Sequence, residues 1–132
     1  MPSPTQRQGA RHEQVAEEEL VRRGYTIVER NLRTRRGELD RIAEDEGVLV
    51  FVEIRSRSSV RHGRPGESVG HKKQRSVVRA AAEYLAGQPG STARDCRFDV
   101  VEVVEDGAGV PIEIAVIAGA FDASVLGRAL VV

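Results

Sequence analysis

The octapeptide VLVFVEIR, from Val48 to Arg55, decides the fold of this chain of 132 residues. Six of its eight residues are apolar, which predicts a strand buried on both faces and therefore central in a sheet. Glu53 interrupts the apolar run, and an isolated carboxylate in such a strand is costly unless a partner compensates its charge. The octapeptide therefore marks both the centre of the fold and the first place to look for chemistry.

Two shorter strands are predicted before the octapeptide, at residues 25–32 and 38–44. A turn at residues 34–37 separates these two strands, and residues 45–47 form a tight connection to the octapeptide. Because both connections are short, the three strands are expected to form an antiparallel meander.

Helices are predicted on either side of this meander, at residues 10–23 and 71–86, where apolar residues recur at helical spacing. Gly24 and Gly87 end the two patterns, as glycine commonly does at the end of a helix. A long loop is expected between the octapeptide and the second helix, at residues 56–70.

Two further strands are predicted at residues 97–104 and 110–117, around a turn at residues 105–109, and the tail from residue 118 is predicted to be a short helix. The second helix is then a crossover that returns the chain to the same sheet. The sequence predicts an α/β fold in a single domain, with a central mixed sheet of about five strands flanked by helices in the order α-β-β-β-α-β-β.

The domain is assigned to residues 10–121, with a flexible N-terminus at 1–9 and a C-terminal tail at 122–132. No apolar run approaches the roughly 20 residues of a membrane-spanning helix. The first eleven residues lack the apolar centre of a secretory signal. The single cysteine, Cys96, excludes an internal disulfide and is expected to be half-buried. We expect a cytoplasmic protein that does not bind membranes.

The net charge of zero conceals a basic middle of the chain. Residues 30–79 hold 13 lysines and arginines against 7 acidic residues, whereas both ends of the chain are acidic. This asymmetry is typical of a protein with a polyanionic partner, although solvated arginine-rich loops would produce it equally well.

Two carboxylates are predicted to meet on neighbouring strands. Asp40 lies in the second strand and Glu53 in the third, so the two can stand side by side near one edge of the meander. Adjacent carboxylates repel and desolvate each other, and a divalent cation such as Mg²⁺ would relieve that cost. Arg55 points the same way as Glu53 and could hold a phosphate. The alternative is a plain ion-pair cluster at the edge of the sheet.

Five blocks of sequence, in this order, resemble those of the UPF0102 (YraN-like) family over about residues 10–121. The blocks are GELDRIA, VLVFVEIRSR, HGRPGESV, GHKKQR and RFDVV. That family is similar in fold to the PD-(D/E)XK nuclease superfamily, and to Holliday junction resolvases in particular. The resemblance implies a restriction-endonuclease-like fold, a Mg²⁺ or Mn²⁺ site and hydrolysis of DNA phosphodiester bonds.

The resemblance also implies roles for individual residues. Asp40 and Glu53 match the metal-binding acids of the second and third strands, and Glu13 matches a glutamate of the first helix that assists the metal. Glu38 is expected to interact with the metal-binding residues and not with the metal itself. Gln74 matches the glutamine that opens the second helix, and is expected to position water and phosphate together with Arg55.

Arg55 stands where the family has a lysine, which puts catalysis in doubt. Arginine stays charged and is a poor proton donor or acceptor, although it can bind phosphate bidentately. Lys72 or Lys73, at the start of the second helix, is an alternative source of an ammonium group. Arg41 is a second departure, since the family usually has an apolar residue there.

Other cations are candidates for binding nucleic acid through its phosphates. They are Arg33, Arg35, Arg36, Arg57, Arg61, Arg64, Lys72, Lys73 and Arg75. Arg79 shares a helical face with Lys72 and Arg75. The chain has no tryptophan, two tyrosines and three phenylalanines, so recognition by stacking single-stranded bases is not expected. The histidines His12, His62 and His71 have no metal-ligand spacing and are expected at the surface.

The sequence favours a metal-dependent endonuclease-like enzyme acting on DNA, with branched or damaged DNA as candidate substrates. A nuclease-fold module that has lost its chemistry and binds nucleic acid or a protein partner in repair or recombination is the alternative. An interaction domain whose acids never bind metal is a third, weaker interpretation. The apolar tail leaves a homodimer open.

Overall fold

The computed structural model describes residues 3–59, 69–89 and 94–124, which form a five-stranded mixed sheet with one helix packed on each face. In chain order the elements are α1 (Pro4–Arg22), β1 (Thr26–Arg33), β2 (Glu38–Asp45), β3 (Val48–Ser58), α2 (His71–Ala86), β4 (Cys96–Glu105) and β5 (Pro111–Phe121). The predicted fold class and order of elements are therefore confirmed.

Strand β3 is the middle strand of the sheet, as its apolar sequence predicts. The strand order is β1-β2-β3-β4-β5, and β3 pairs antiparallel with β2 and parallel with β4. The parallel pair requires the crossover through α2. Glu46 and Gly47 close the β2–β3 hairpin with φ values of 50° and 84°. Two successive positive φ angles match the twist of a two-residue hairpin.

Helix α1 begins at Pro4, six residues before the predicted start. The Ser3 hydroxyl accepts a hydrogen bond from the Gln6 backbone N–H at 3.1 Å, and the Gln6 side chain accepts one from the Ser3 N–H at 2.8 Å. Serine at the N-cap, proline in the first turn and glutamine at the third helical position form a capping box. The expectation that helical structure begins at residue 10 is wrong because this local signal outweighs the polar composition.

Strand β5 runs to Phe121, so the prediction of a short helix from residue 118 is wrong for residues 118–121. Gly119 adopts φ +61°, and its backbone N–H donates to Asp99 at 2.9 Å, opposite a register shift in β4. Phe121 then stacks on Phe98 with ring centroids 5.2 Å apart. These tertiary contacts hold the segment extended. The predicted tail from residue 125 onward lies outside the described residues.

The sheet separates two cores, one under each helix. Ile42, Phe51 and Val77 are buried between the sheet and α2, whereas Leu20 and Val50 are buried between the sheet and α1. The buried face of α2 differs slightly from the face that the apolar spacing predicts, because Ala80 is buried and Ala82 is exposed. Over the three described segments, neither helix is long and apolar enough to span a membrane.

A buried polar network links the C-terminal end of α1 to the start of β4. Asp99 is fully buried and accepts hydrogen bonds from the Tyr25 hydroxyl at 2.7 Å and from Arg97 Nε at 2.8 Å. Arg97 also contacts Asp45 at 2.9 Å. Burial beside Asp99 raises the pKa of Tyr25 to about 12. Asp99 therefore has a structural role. Cys96, at the start of β4, is exposed rather than half-buried.

Replacing Asp99 tests this network. Asp99→Asn removes the charge that faces Arg97 inside the protein, and we expect it to lower the free energy of unfolding by about 3 kcal/mol. Urea denaturation followed by circular dichroism measures the loss. Asp122→Asn is the matched control at an exposed aspartate. Equal stability of the two variants would show that the network does not hold β5 to the sheet.

Candidate functional site

Asp40 and Glu53 meet where β2 and β3 stop pairing. The regular register of the two strands begins at Arg41 and Val52, so Asp40 lies just outside it. One Asp40 carboxylate oxygen accepts a hydrogen bond from the Ile54 backbone N–H at 2.8 Å, in the place of a strand-to-strand bond. The carboxyl groups of Asp40 and Glu53 are close enough for each to change the pKa of the other. The predicted juxtaposition of the two acids is thus present.

The surroundings of this pair disfavour two negative charges. Glu53 is 3% exposed. Burial, and then the charge of Asp40, raise the pKa of Glu53 from 4.5 to about 7. Burial also raises the pKa of Asp40, while the Ile54 N–H and Lys73 oppose that rise. The buried site therefore favours the protonated form of Glu53 over its carboxylate more strongly than water does.

Two cations face the pair, and they come from different elements. Lys73 Nζ, on the first turn of α2, lies 3.7 Å from a Glu53 oxygen. Arg55 Nη1, two residues along β3, lies 4.0 Å from the same oxygen. Both cationic side chains are more than one-third exposed, so each can contact a ligand as well as the acid. Of the two lysines that the sequence left as alternatives, Lys73 is the one placed at the pair.

Glu13 approaches from α1, on the other side of Asp40. Burial and the Asp40 charge raise the pKa of Glu13, and Arg41 opposes this rise from 3.7 Å. Arg41 is 5% exposed and also donates to Glu17 at 2.8 Å and to the Asp40 carbonyl at 2.7 Å. The unusual arginine in β2 is therefore neutralised by acids of α1, which ties that helix to the site.

An open cleft of about 340 Å³ gives access to these groups. Its lining residues are Gly9, His12, Glu13, Asp40, Ile54, Arg55 and Ser56. A cleft of this size admits a phosphate group with several waters. The two carboxylates that line it, Glu13 and Asp40, belong to α1 and β2, and Arg55 of β3 adds a positive charge to the lining.

Gln74 and Glu38 have other partners. The Gln74 side-chain amide donates to the Val69 carbonyl at 2.8 Å, which orders the start of α2 and so helps to place Lys73. Glu38 pairs with Arg33 across the β1–β2 hairpin at 2.7 Å. Glu38 acts on the site through its charge, which contributes to the raised pKa of Glu13.

Apart from Lys73, which contacts Glu53, the cations predicted to bind nucleic acid fall into three groups. Arg33, Arg35 and Arg57 form ion pairs with Glu38, Glu83 and Glu102, respectively. Within the described segments, no carboxylate forms an ion pair with Arg36, Lys72 or Arg75. Arg61 and Arg64 lie outside the described residues, as does His62.

His12 and Glu102 are the polar residues that sequence reasoning overlooked. His12 was expected at the surface, but it is 7% exposed, and its Nε2 lies 2.7 Å from a Glu105 oxygen at the end of β4. Glu102 is fully buried and pairs with Arg57. Glu102 lies in β4 directly beside Arg55. A glutamate inside the apolar run VVEVV was a readable signal of the same kind as Glu53.

The donor set suits a hard cation that keeps most of its water. In the described part of the chain, no three His, Cys, Asp or Glu side chains converge as a ready ligand set. Two adjacent carboxylates destabilised by burial nevertheless offer oxygen ligands and gain from a positive charge. Mg²⁺ is commonly held by one or two carboxylates with waters and substrate phosphate, so the residues fit such an ion.

Comparison with known proteins identifies the family. Residues 12–103 match the model described as "Uncharacterised protein family UPF0102". The chain is 49% identical over 119 residues to a UPF0102 protein of Symbiobacterium thermophilum, covering 90% of this chain and 99% of that protein. It is 47% identical over 98 residues to one from Chlorobaculum parvum, covering 73% and 74% of the two chains. The chain belongs to the UPF0102 family, which confirms the resemblance.

The raised pKa of Glu53 predicts how stability changes with pH. In the unfolded chain Glu53 ionises near pH 4.5, whereas in the folded protein it ionises near 7. Because the folded state holds the proton longer, the free energy of unfolding should fall as pH rises through this window. Glu53→Gln cannot ionise, so we expect it to be more stable than wild type by roughly 2 kcal/mol at pH 8 in EDTA, and by much less at pH 4.5.

Chemical denaturation at a series of pH values measures this difference. Glu113→Gln, at an exposed glutamate of β5, is the control and should follow the wild-type curve. If the free energy of unfolding changed with pH in the same way in wild type and Glu53→Gln, the raised pKa of Glu53 in the folded protein would be contradicted.

Proposed function

We propose that this chain is a metal-dependent endonuclease-like protein that hydrolyses DNA phosphodiester bonds, with branched or damaged DNA as its substrate. The observation that carries the proposal is the adjacent pair of Asp40 and Glu53, which lies beside two cations and next to an open cleft that Asp40 and Arg55 line. An ion pair that served only stability would not hold two acids together at such a cost. The arrangement is the one expected of a site built to receive a cation and a phosphate.

Asp40 and Glu53 would hold Mg²⁺ or Mn²⁺, with Glu13 assisting from α1. Bound there, the metal would lower the pKa of a water molecule and stabilise negative charge on a phosphate oxygen. Glu53 would hold the metal as the carboxylate, the form that burial disfavours. The site is therefore suited to divalent ions at neutral or higher pH, where that form costs least.

The other residues would place the substrate. Lys73 and Arg55 stand on the Glu53 side of the pair and would bind the phosphate that is to be cut. Gln74 holds the first turn of α2 through Val69, which positions Lys73 rather than contacting the reacting atoms. Arg41 keeps Glu13 and Glu17 directed towards the sheet, so that α1 stays against the site.

Arg55 favours a second candidate function. A guanidinium binds phosphate well but neither gives nor takes a proton at neutral pH. If the reaction needs that proton transfer at position 55, the same site would bind DNA or a protein partner in repair or recombination without cutting. Lys73 supports the first candidate, because it brings an ammonium group within 3.7 Å of a Glu53 oxygen from a different element.

Cleavage assays test the enzyme directly. With Mn²⁺ or Mg²⁺ we expect the wild type to cut labelled DNA among single-stranded, duplex, flap and four-way-junction substrates. Glu53→Gln should lose at least about 100-fold in rate, because it removes a metal ligand. Lys73→Met should lose roughly 10- to 100-fold through loss of phosphate binding. Arg55→Lys should retain or raise activity.

Glu113→Gln and Arg22→Met are the matched controls for the removal of an exposed acid and an exposed cation, and both should cut as wild type does. Binding without cleavage on every substrate would reject the enzyme and leave the binding module. Cleavage that survives in Glu53→Gln would point to a contaminating nuclease.

Metal binding can be measured without DNA. We expect Mn²⁺ to raise the melting temperature of wild type, because an ion that binds only the folded state stabilises it. In Glu53→Gln the rise should be largely lost, whereas Glu113→Gln should keep it. Equal shifts in all three proteins would place the metal elsewhere or show that it binds nonspecifically.

A further inference from the structure

One face of α2 carries a row of cations. Lys72, Arg75 and Arg79 recur at i, i+3 and i+7, which puts them on one side of the helix. Lys72 and Arg79 are exposed and Arg75 is half-buried. The row extends along the helix from its first turn, next to Lys73.

The β1–β2 turn lies against this same face. The Ser76 hydroxyl donates to the Arg36 carbonyl at 3.3 Å, and Arg35 pairs with Glu83 at 3.4 Å. Ser76 and Glu83 share the helical face of the row, since they stand four and eleven residues after Lys72. A Cβ atom on Gly37 would collide with Ser76 Oγ, so the backbones approach as closely as they can. Arg36 is thereby held beside the helix, and the four cations form a single surface.

We call this surface, made of Arg36, Lys72, Arg75 and Arg79, the α2 ridge. In the described part of the chain none of its four cations forms an ion pair with a carboxylate. Arginines on the opposite face of the sheet differ. Arg22 and Arg23 pair with Glu19, and Arg30 pairs with Glu17. The positive charge at the C-terminal end of α1 and at Arg30 of β1 is neutralised locally, whereas that of the ridge is available to a partner.

The aromatic residues indicate what kind of partner fits. Tyr25, Phe51 and Phe98 are less than 10% exposed, and Tyr84 and Phe121 pack against the α2 core. These are all the aromatic residues of the chain, so none is free to stack on an unpaired base. A surface of cations without aromatic platforms contacts phosphates and reads the shape of the backbone.

The dimensions of the ridge match a nucleic-acid strand. Seven residues of helix separate Lys72 from Arg79, which corresponds to about 10 Å. A strand of duplex DNA advances about 3.4 Å per phosphate along the helix axis, so the ridge spans about three phosphates. Lys73 follows Lys72 in α2, and its ammonium group contacts Glu53. A strand lying on the ridge would therefore lead to the carboxylate pair.

We propose that the α2 ridge binds the phosphodiester backbone of duplex DNA and guides one strand to Asp40 and Glu53. This inference rests on the proposed function for the choice of DNA as the polyanion. In this proposal the β1–β2 turn and α2 contact the DNA, whereas Arg33, Arg35 and Arg57 are not part of the contact surface. Their carboxylate partners Glu38, Glu83 and Glu102 already neutralise them.

Binding to a short labelled duplex in EDTA tests the ridge without cleavage. The full-length wild type is compared by fluorescence anisotropy with the triple variant Lys72→Ala, Arg75→Ala, Arg79→Ala over a series of salt concentrations. We expect affinity to fall at least about tenfold and the slope of log K against log salt to decrease by about two to three. The matched control Arg22→Ala, Arg23→Ala, Arg30→Ala removes the same charge from the other face and should change affinity by less than about threefold.

A second variant keeps every charge. Gly37→Val forces the turn away from Ser76, and we expect a weaker loss of affinity and a slope reduced by about one, since only Arg36 is displaced. Circular dichroism and melting temperature establish that each variant is folded.

The outcomes separate the ridge from the proposed nuclease. Equal losses in the two triple variants would overturn the ridge by showing that only net charge matters. Unchanged affinity of the ridge variant for the duplex would also overturn the ridge. Cleavage by the wild type would in that case still support the nuclease. No binding of duplex DNA by the wild type at low salt would reject the ridge outright. Salt-dependent binding through the ridge without cleavage on any substrate would support the ridge and reject the nuclease.

Discussion

The burial of two carboxylates in an apolar hairpin is the constraint on which the rest of this structure depends. Asp40 and Glu53 cannot both be ionised there without help, and several features of the molecule supply part of that help. The Ile54 N–H donates to the Asp40 side chain instead of to a backbone carbonyl of β2. Helix α2 contributes Lys73, and β3 itself contributes Arg55. This compensation is incomplete, because the pKa of each acid stays raised. A protein that needed only stability would gain by replacing the pair with apolar residues, and this cost is the reason for proposing that the pair serves a ligand.

On the α1 side of the sheet, acidic and basic side chains alternate with increasing distance from the Asp40–Glu53 pair. Glu13 and Glu17 flank the buried Arg41, and Glu17 also pairs with the exposed Arg30. At the other end of α1, Tyr25 bonds to Asp99, which in turn holds Arg97 and the Gly119 bulge. The helix is thus fastened to the sheet by polar contacts at both ends and by Ala16 and Leu20 in between. Such a helix holds Glu13 at a fixed place relative to β2.

Much of this could be predicted from the sequence, because the strands are short apolar runs with clear turns between them. The β2–β3 pairing, and with it the meeting of Asp40 and Glu53, follows from a hairpin whose turn is only two residues long. Contacts between elements distant in the chain could not be predicted. The burial of His12 against Glu105 depends on how α1 lies across β4, and the pairing of Arg57 with Glu102 depends on the parallel register. The early start of α1 is different, because the capping box of Ser3 and Gln6 is a local signal that the sequence itself contains.

The parallel pairing of β3 with β4 has a consequence for the order in which the molecule assembles. The β2–β3 hairpin is local and can close within microseconds, whereas β4 must wait for the crossover through α2 to bring it back. The two carboxylates therefore come together while the hairpin is still in water, where their repulsion is weak. Docking of α2 shields Glu53 from that water and brings Lys73 to it. The same helix therefore supplies both part of the desolvation cost and the counter-charge that offsets it.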